Sequence, residues 1–310
     1  MWHFLRRLVM VSFVFSLLVT VLIITGNRIL SRKARFEILH TDTLIILGHS
    51  HPECAYNDTL IAGAKNLSSS GESYFYTLPK VKNVLAQNPH IKAVFIEFSN
   101  NQVAAPMNKW IWGDNYMERQ YPIYAPFIAS EDRRLLFAHN MSGYITSSSF
   151  ALKRQVFNIL TNNYAYTSVI GGYYYNNVNK LDSLLAIQQQ LPVTGSDTSL
   201  SRENLRYLKA CIDVCLQNGK QVYLVRTPTH PKFPGRRSER VFEQVRREYF
   251  NDIPFLDFAA FPIADTEYAD LEHLNYYGAR RFSIWMNKML KNGLLSVSEK
   301  DRQSFINEHL

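Results

Sequence analysis

The stretch that decides the fold is residues 44–58, "LIILGHSHPECAYND". Leu44 to Leu47 is a short apolar run closed by Gly48. That pattern predicts a strand buried on both faces. The segment after it is crowded with reactive side chains: Ser50 lies between His49 and His51, with Glu53, Cys54 and Asn57 close behind. In parallel α/β sheets, chemistry collects just past the carboxyl ends of strands. A plainer reading stays open on this stretch alone, namely a turn in which Ser50 or Asp58 caps the next helix.

Working outward, the chain alternates strand and helix. "AKNLSSSG" predicts a short second strand ending at Gly71, "YFYTLPKVKNVLAQNP" a helix with Pro79 at a kink or boundary, and "IKAVFIEFSNNQ" a third strand. Later, "SRENLRYLKACIDVCLQNGK" predicts an amphipathic helix with Ser201 as N-cap and Gly219 at its end. "QVYLVRTP" is a fourth strand, "SERVFEQVRREYF" a helix, "IPFLDF" a fifth strand and "NYYGARRFSIWMNKMLKNG" the last helix. Strands separated by helices imply crossover connections and a mainly parallel sheet in a three-layer α/β domain. Residues of about 103–198 interrupt the alternation as an insertion dense in Trp, Tyr, Asn and Gly. Such aromatics either build a small core or stack on sugar rings.

The first 35 residues differ in kind. Leu8 to Gly26 is a 19-residue run without a charge, long enough to cross a ~30 Å hydrocarbon core as a helix. A secretory leader would have a shorter apolar core and a small-residue cleavage site, and "IITGNRIL" offers no good one. We therefore expect a membrane anchor over 1–35 and one α/β domain over 36–310. Arg6 and Arg7 precede the run while Arg28, Arg32, Lys33 and Arg35 follow it. Counted simply, that balance would keep the domain in the cytoplasm, although large domains translocate with little regard to flanking charge.

The chain has 310 residues, 46% of them hydrophobic, and a formal net charge of +8. Its densest basic segment, "PKFPGRRSERVFEQVRREYF", interleaves Glu with Arg, as a solvated helix face does and a nucleic-acid site does not. Cys54, Cys211 and Cys215 have no metal-ligand spacing, and Cys211 and Cys215 read as small hydrophobes on one helix. No metal or other cofactor is expected.

Near the C-terminus, "ADLEHLNYYGARRFS" places Asp270 three residues before His273. Asp-x-x-His lets a carboxylate hold an imidazole in one tautomer and leaves its other nitrogen for a nucleophile. With Ser50 this makes a Ser-His-Asp set. On these residues the chain resembles the SGNH (GDSL-type) hydrolase superfamily, which has a flavodoxin-like fold. Gly48-His49-Ser50 matches the nucleophile motif with His49 in place of Asp. Gly71 matches the second signature, Ser99 to Gln102 keeps only Asn101 of the third, and Asp270 and His273 match the last. The resemblance covers Leu44 to Gln102 and Tyr223 to Leu290.

It implies that Ser50 attacks an acyl carbonyl, His273 takes its proton and Asp270 orients the ring, with an oxyanion hole from the Ser50 and Gly71 N–H groups and Asn101. Arg226, His51 and Asn100 are candidates to meet substrate. An N-terminal membrane helix before a divergent SGNH domain is similar to the envelope acyl-transfer proteins of alginate O-acetylation and teichoic acid D-alanylation. The likeness implies serine-dependent acyl transfer, of acetyl above all, or ester hydrolysis on a cell-envelope glycan outside the cytoplasmic membrane, beside a membrane-bound O-acyltransferase. The alternative is a catalytically silent, membrane-anchored glycan-binding protein.

Overall fold

A computed structural model describes residues 1–188 and 199–310. The last ten residues of the expected insertion, 189–198, lie outside them. In chain order the elements are α1 (Trp2–Lys33), β1 (Leu44–Leu47), α2 (Ser50–Ala55), β2 (Ala64–Asn66), α3 (Tyr74–Gln87), β3 (Ala93–Glu97) and α4 (Asn100–Val103). Then come α5 (Asn108–Trp112), α6 (Asp114–Tyr124), α7 (Ser130–His139), α8 (Met141–Leu160) and α9 (Leu181–Gln188). The chain closes with α10 (Arg202–Gln217), β4 (Gln221–Arg226), α11 (Glu239–Tyr249), β5 (Phe255–Asp257), α12 (Tyr276–Lys291) and α13 (Glu299–Glu308). Two compact units result: residues 36–111 with 167–310, and residues 1–35 with 112–166.

The larger unit is built on a five-stranded sheet in the order β2-β1-β3-β4-β5. Every pair is parallel, with Ile46 beside Phe95 and Phe95 beside Tyr223. Strands buried on both faces explain why β1, and β3 as far as Ile96, read as unbroken apolar runs. Leu44, Ile46, Phe95, Tyr223, Val225 and Leu256 form one core with Phe282 and Met286 of α12. After β1 the chain goes outward to β2 and then returns past β1 to β3, so the C-terminal ends of β1 and β3 flank the point where strand order reverses. Crevices for ligands open there.

α3 runs through Pro79 without ending. Its packing on α10, with the Phe75 and Tyr207 rings 4.9 Å apart, offsets the missing backbone donor. α10 starts where expected, the Ser201 hydroxyl accepting the Asn204 N–H at 3.2 Å. Cys211 and Cys215 are fully buried in it.

The smaller unit joins α1 to α6–α8. In the aromatic stretch that precedes α8, Tyr121 and Tyr124 are buried and Trp112, Tyr116 and Phe127 half-buried. α1 is long and apolar enough to cross a membrane.

Candidate active site

The site forms where β1 and β3 end. Gly48 leaves β1 beneath Glu97, and a Cβ on it would lie 2.7 Å from Glu97 Cβ and 2.6 Å from Pro52 Cγ. Only glycine lets the chain pass there. His49 then caps α2, its Nδ1 accepting the His51 N–H at 3.4 Å. Ser50 thus opens the helix.

Ser50 Oγ lies 2.7 Å from His273 Nε2. Behind the ring, His273 Nδ1 is 2.9 Å from both carboxylate oxygens of Asp270. Asp270 is itself fixed, because its Oδ1 accepts the N–H groups of Glu272 at 2.7 Å and His273 at 2.8 Å. Burial pushes the Asp270 carboxyl up, but the hydrogen bond and charge of His273 and the two N–H groups outweigh it, leaving it below the usual carboxylate range. The loop is pinned by a bridge between Tyr268 and Leu274, and Asn275 caps α12 by accepting the N–H groups of Tyr277 and Gly278. Ser50 is thereby brought into hydrogen-bond contact with His273, more than 200 residues further along the chain, whose tautomer is set by Asp270.

A second layer of charge lies under this set. Glu97, fully buried at the end of β3, accepts the His49 N–H at 3.2 Å and lies 3.4 Å from His49 Nε2 and 3.0 Å from His51 Nδ1. The two imidazole nitrogens stand at ion-pair distance from the carboxylate without the alignment of a hydrogen bond. The other nitrogen of His51, Nε2, lies 3.4 Å from Glu272, the residue before His273. Burial opposes charge on both histidines, with opposite outcomes. For His51, Glu97 and Glu272 outweigh burial and push the pKa up to about 9; for His49, burial wins and the pKa drops to about 4. Burial would also raise Glu97, but the two histidines keep it below the usual range. Near neutral pH the chain of contacts is therefore Glu97⁻, His51⁺, Glu272⁻, with His49 neutral. It ties the end of β3, through the helix that carries Ser50, to the loop that carries His273.

His49, His51 and Glu97 also bring ligand atoms within 4.8 Å of one another, a donor set a divalent transition metal could use. The proton on His51 and the carboxylate of Glu97 satisfy each other's charge.

Of the expected oxyanion donors, Gly71 adopts φ 67° in the turn after β2, a conformation that favours glycine. That turn is clamped by buried Glu72, which accepts the Thr77 hydroxyl at 2.8 Å and pairs with buried Lys80 at 2.8 Å. The backbone N–H groups of Ser50 and Gly71 have no acceptor among the described residues. Asn101 uses its Oδ1 to accept the Ser99 hydroxyl at 2.9 Å, which orients the amide.

The three residues expected to meet substrate are engaged inside the protein instead. Arg226 pairs with Asp257 and with Glu239 at 2.8 Å, and reaches Asn100 Oδ1 at 3.3 Å. Asn100 donates to Glu239 at 2.8 Å, and His51 is the buried link just described. A guanidinium at the end of a buried strand needs carboxylates to offset its desolvation, and β5 and α11 supply them. Glu53 accepts the Ser70 hydroxyl, and Asp58 pairs with Lys65 at 2.8 Å. Glu97 and Glu272 were not singled out by sequence, yet a Glu closing the run "AVFIE" was a signal, since a carboxylate buried in a strand requires a partner.

The model of one uncharacterised protein family matches residues 173–295, which hold Asp270 and His273 but not Ser50. No curated protein matches the chain.

Proposed function

We propose that this chain is a membrane-anchored, SGNH-type serine acyltransferase or esterase that works on acyl groups of a cell-envelope glycan outside the cytoplasmic membrane. The observation that carries the reading is the 2.7 Å contact of Ser50 Oγ with an imidazole backed by Asp270. The parallel strand order with the serine after β1 and the Asp-x-x-His pair before α12 supports the family resemblance.

In the reaction, His273 Nε2 accepts the Ser50 proton as Oγ attacks the acyl carbonyl. Charge on the resulting oxyanion is met by the N–H groups of Ser50 and Gly71 with the Asn101 amide. Asp270 stabilises the imidazolium, which returns its proton to the leaving alcohol. An acceptor hydroxyl, or water, then gives its proton to His273 and takes the acyl group from Ser50.

Labelling of Ser50 by a fluorophosphonate tests the nucleophile, and an acyl donor supplied with and without glycan separates the outcomes. Faster formation of acylated glycan than of free acid marks a transferase, and acid release indifferent to glycan marks an esterase. Failure of Ser50 to react with any acyl donor or phosphonate points to a binding protein.

A further inference from the structure

The smaller unit carries a helix whose faces are inverted relative to a water-facing one. α8 has no charged residue from Met141 to Leu152. Its inward residues are small or polar, Gly143, Ser147, Ala151, Gln155 and Asn158. Apolar residues lie outside. Met141, Ile145 and Val156 are 56%, 58% and 44% exposed, and with Leu152 their spacing of four, seven and four puts them on one side of the helix.

α1 packs on α8 through Gln155, one of the inward residues. Asn27 is buried and its side-chain oxygen accepts the Gln155 amide at 2.8 Å. Eight residues after Asn27, Arg35 forms a parallel bridge with Ala165, ten after Gln155. The two segments thus run in the same direction, so the first half of α8 lies alongside α1 before Gly26, in its uncharged run. Within Leu8–Thr25, only Val19 and Ile23 are half-buried. They fall on the side of α1 that carries Asn27 and Leu30.

Length makes this consequential. The wholly exposed part of the run, Leu8 to Leu18, rises about 16 Å at 1.5 Å per residue, roughly half of a ~30 Å hydrocarbon core. A bilayer that encloses the apolar run must reach the level at which α8 lies against α1. We propose that the outward face of α8, Met141, Ile145, Leu152 and Val156, seats against the acyl chains of the bilayer that α1 crosses, so that the chain meets the membrane through two helices. This rests on the reading of α1 as an anchor. Lipid is favoured as the occupant because the face continues the lipid-grade surface of α1, and the exposed Lys153 lies towards its C-terminal end, between Leu152 and Val156, where anionic headgroups would lie.

The test uses the full chain in phosphatidylcholine–phosphatidylglycerol vesicles, with a nitroxide on a single introduced cysteine at Phe13, Ile145 or Lys153; the native cysteines are buried. Power saturation with oxygen and with a water-soluble nickel chelate reads the environment of each label. Expected are oxygen-favoured labels at Phe13 and Ile145, with a ratio at Ile145 several-fold above that at Lys153. Equal ratios at Ile145 and Lys153, with Phe13 in lipid, overturn the proposal and leave the anchor standing. Spin–spin broadening at Ile145 that vanishes on dilution with unlabelled chain means a second copy covers the face, and a label shielded from both agents means a protein partner does. Either result overturns the proposal. A water-exposed Phe13 removes the anchor itself.

Discussion

Replacing Glu97 by Gln keeps the volume of a fully buried side chain and removes the charge that faces two imidazoles. His51 is the group that responds. Its pKa is about 9 in the folded protein against an ordinary 6.5, and that rise is equivalent to about 3 kcal/mol at 1.36 kcal/mol per unit. Since the folded pKa is raised, this stability is fully present below pH 6.5, falls as pH rises, and is gone above about 9. Glu97→Gln should therefore destabilise by up to about 3 kcal/mol near pH 6 and by little at pH 9.5, where His51 is neutral in both proteins. The comparison is thermal unfolding of the full chain in detergent micelles across that range. At about 2–4 °C per kcal/mol for a domain of this size, the melting temperature should drop about 6–12 °C at pH 6. His51→Gln combined with Glu97→Gln should cost clearly less than the sum of the single changes, because the residues share one interaction. A loss that is constant with pH, or single effects that simply add, would refute the coupling drawn from the 3.0 Å approach of His51 to Glu97.

Ser50→Ala and His273→Ala should each abolish fluorophosphonate labelling, and the double variant should be no worse for turnover, since such residues act as a unit; losses that multiply would contradict it. Asp270→Asn should leave the fold intact and lower kcat by up to about 10⁴-fold, because the wrong tautomer of His273 then faces Ser50; full activity in that variant would remove Asp270 from the mechanism. Gly171→Ala would place a Cβ 2.3 Å from the Leu67 carbonyl oxygen and 2.4 Å from that of Ser68 at φ 141°, and should lower stability by about 2 kcal/mol or more, which a melting curve would show. Alkylation with iodoacetamide should leave activity unchanged, since burial chiefly pushes the Cys54 thiol up to about 12 and Cys211 and Cys215 are buried; inactivation at neutral pH would show a reactive thiol.

Much of the larger unit was legible because its signals are local. "LIIL" and "AVFI" are strands because parallel strands buried on both faces are apolar along their length, and the helix from Arg202 begins at its cap, Ser201. Within the insertion, helices α6 to α8 were not anticipated, since aromatic and polar residues mix there without a strong period. Their grouping with α1 depends on contacts such as Asn27 with Gln155, which no spacing announces.

By itself the sequence determined an apolar N-terminal helix, a sheet built from alternating strands and helices, and the local pairs Gly48–Ser50 and Asp270–His273, because each depends on neighbours a few residues apart. The tertiary structure alone decided that Ser50 and His273 stand 2.7 Å apart, since that distance follows from strand order across the sheet. It likewise decided the fate of the charged residues. Arg226 read as a residue that meets substrate until Asp257 and Glu239 arrived from β5 and α11, and Glu97 passed as part of the third strand until two histidines closed on it. Buried charge is stable only where an opposite charge is brought to it, and what brings it is the folding of distant segments onto one sheet edge.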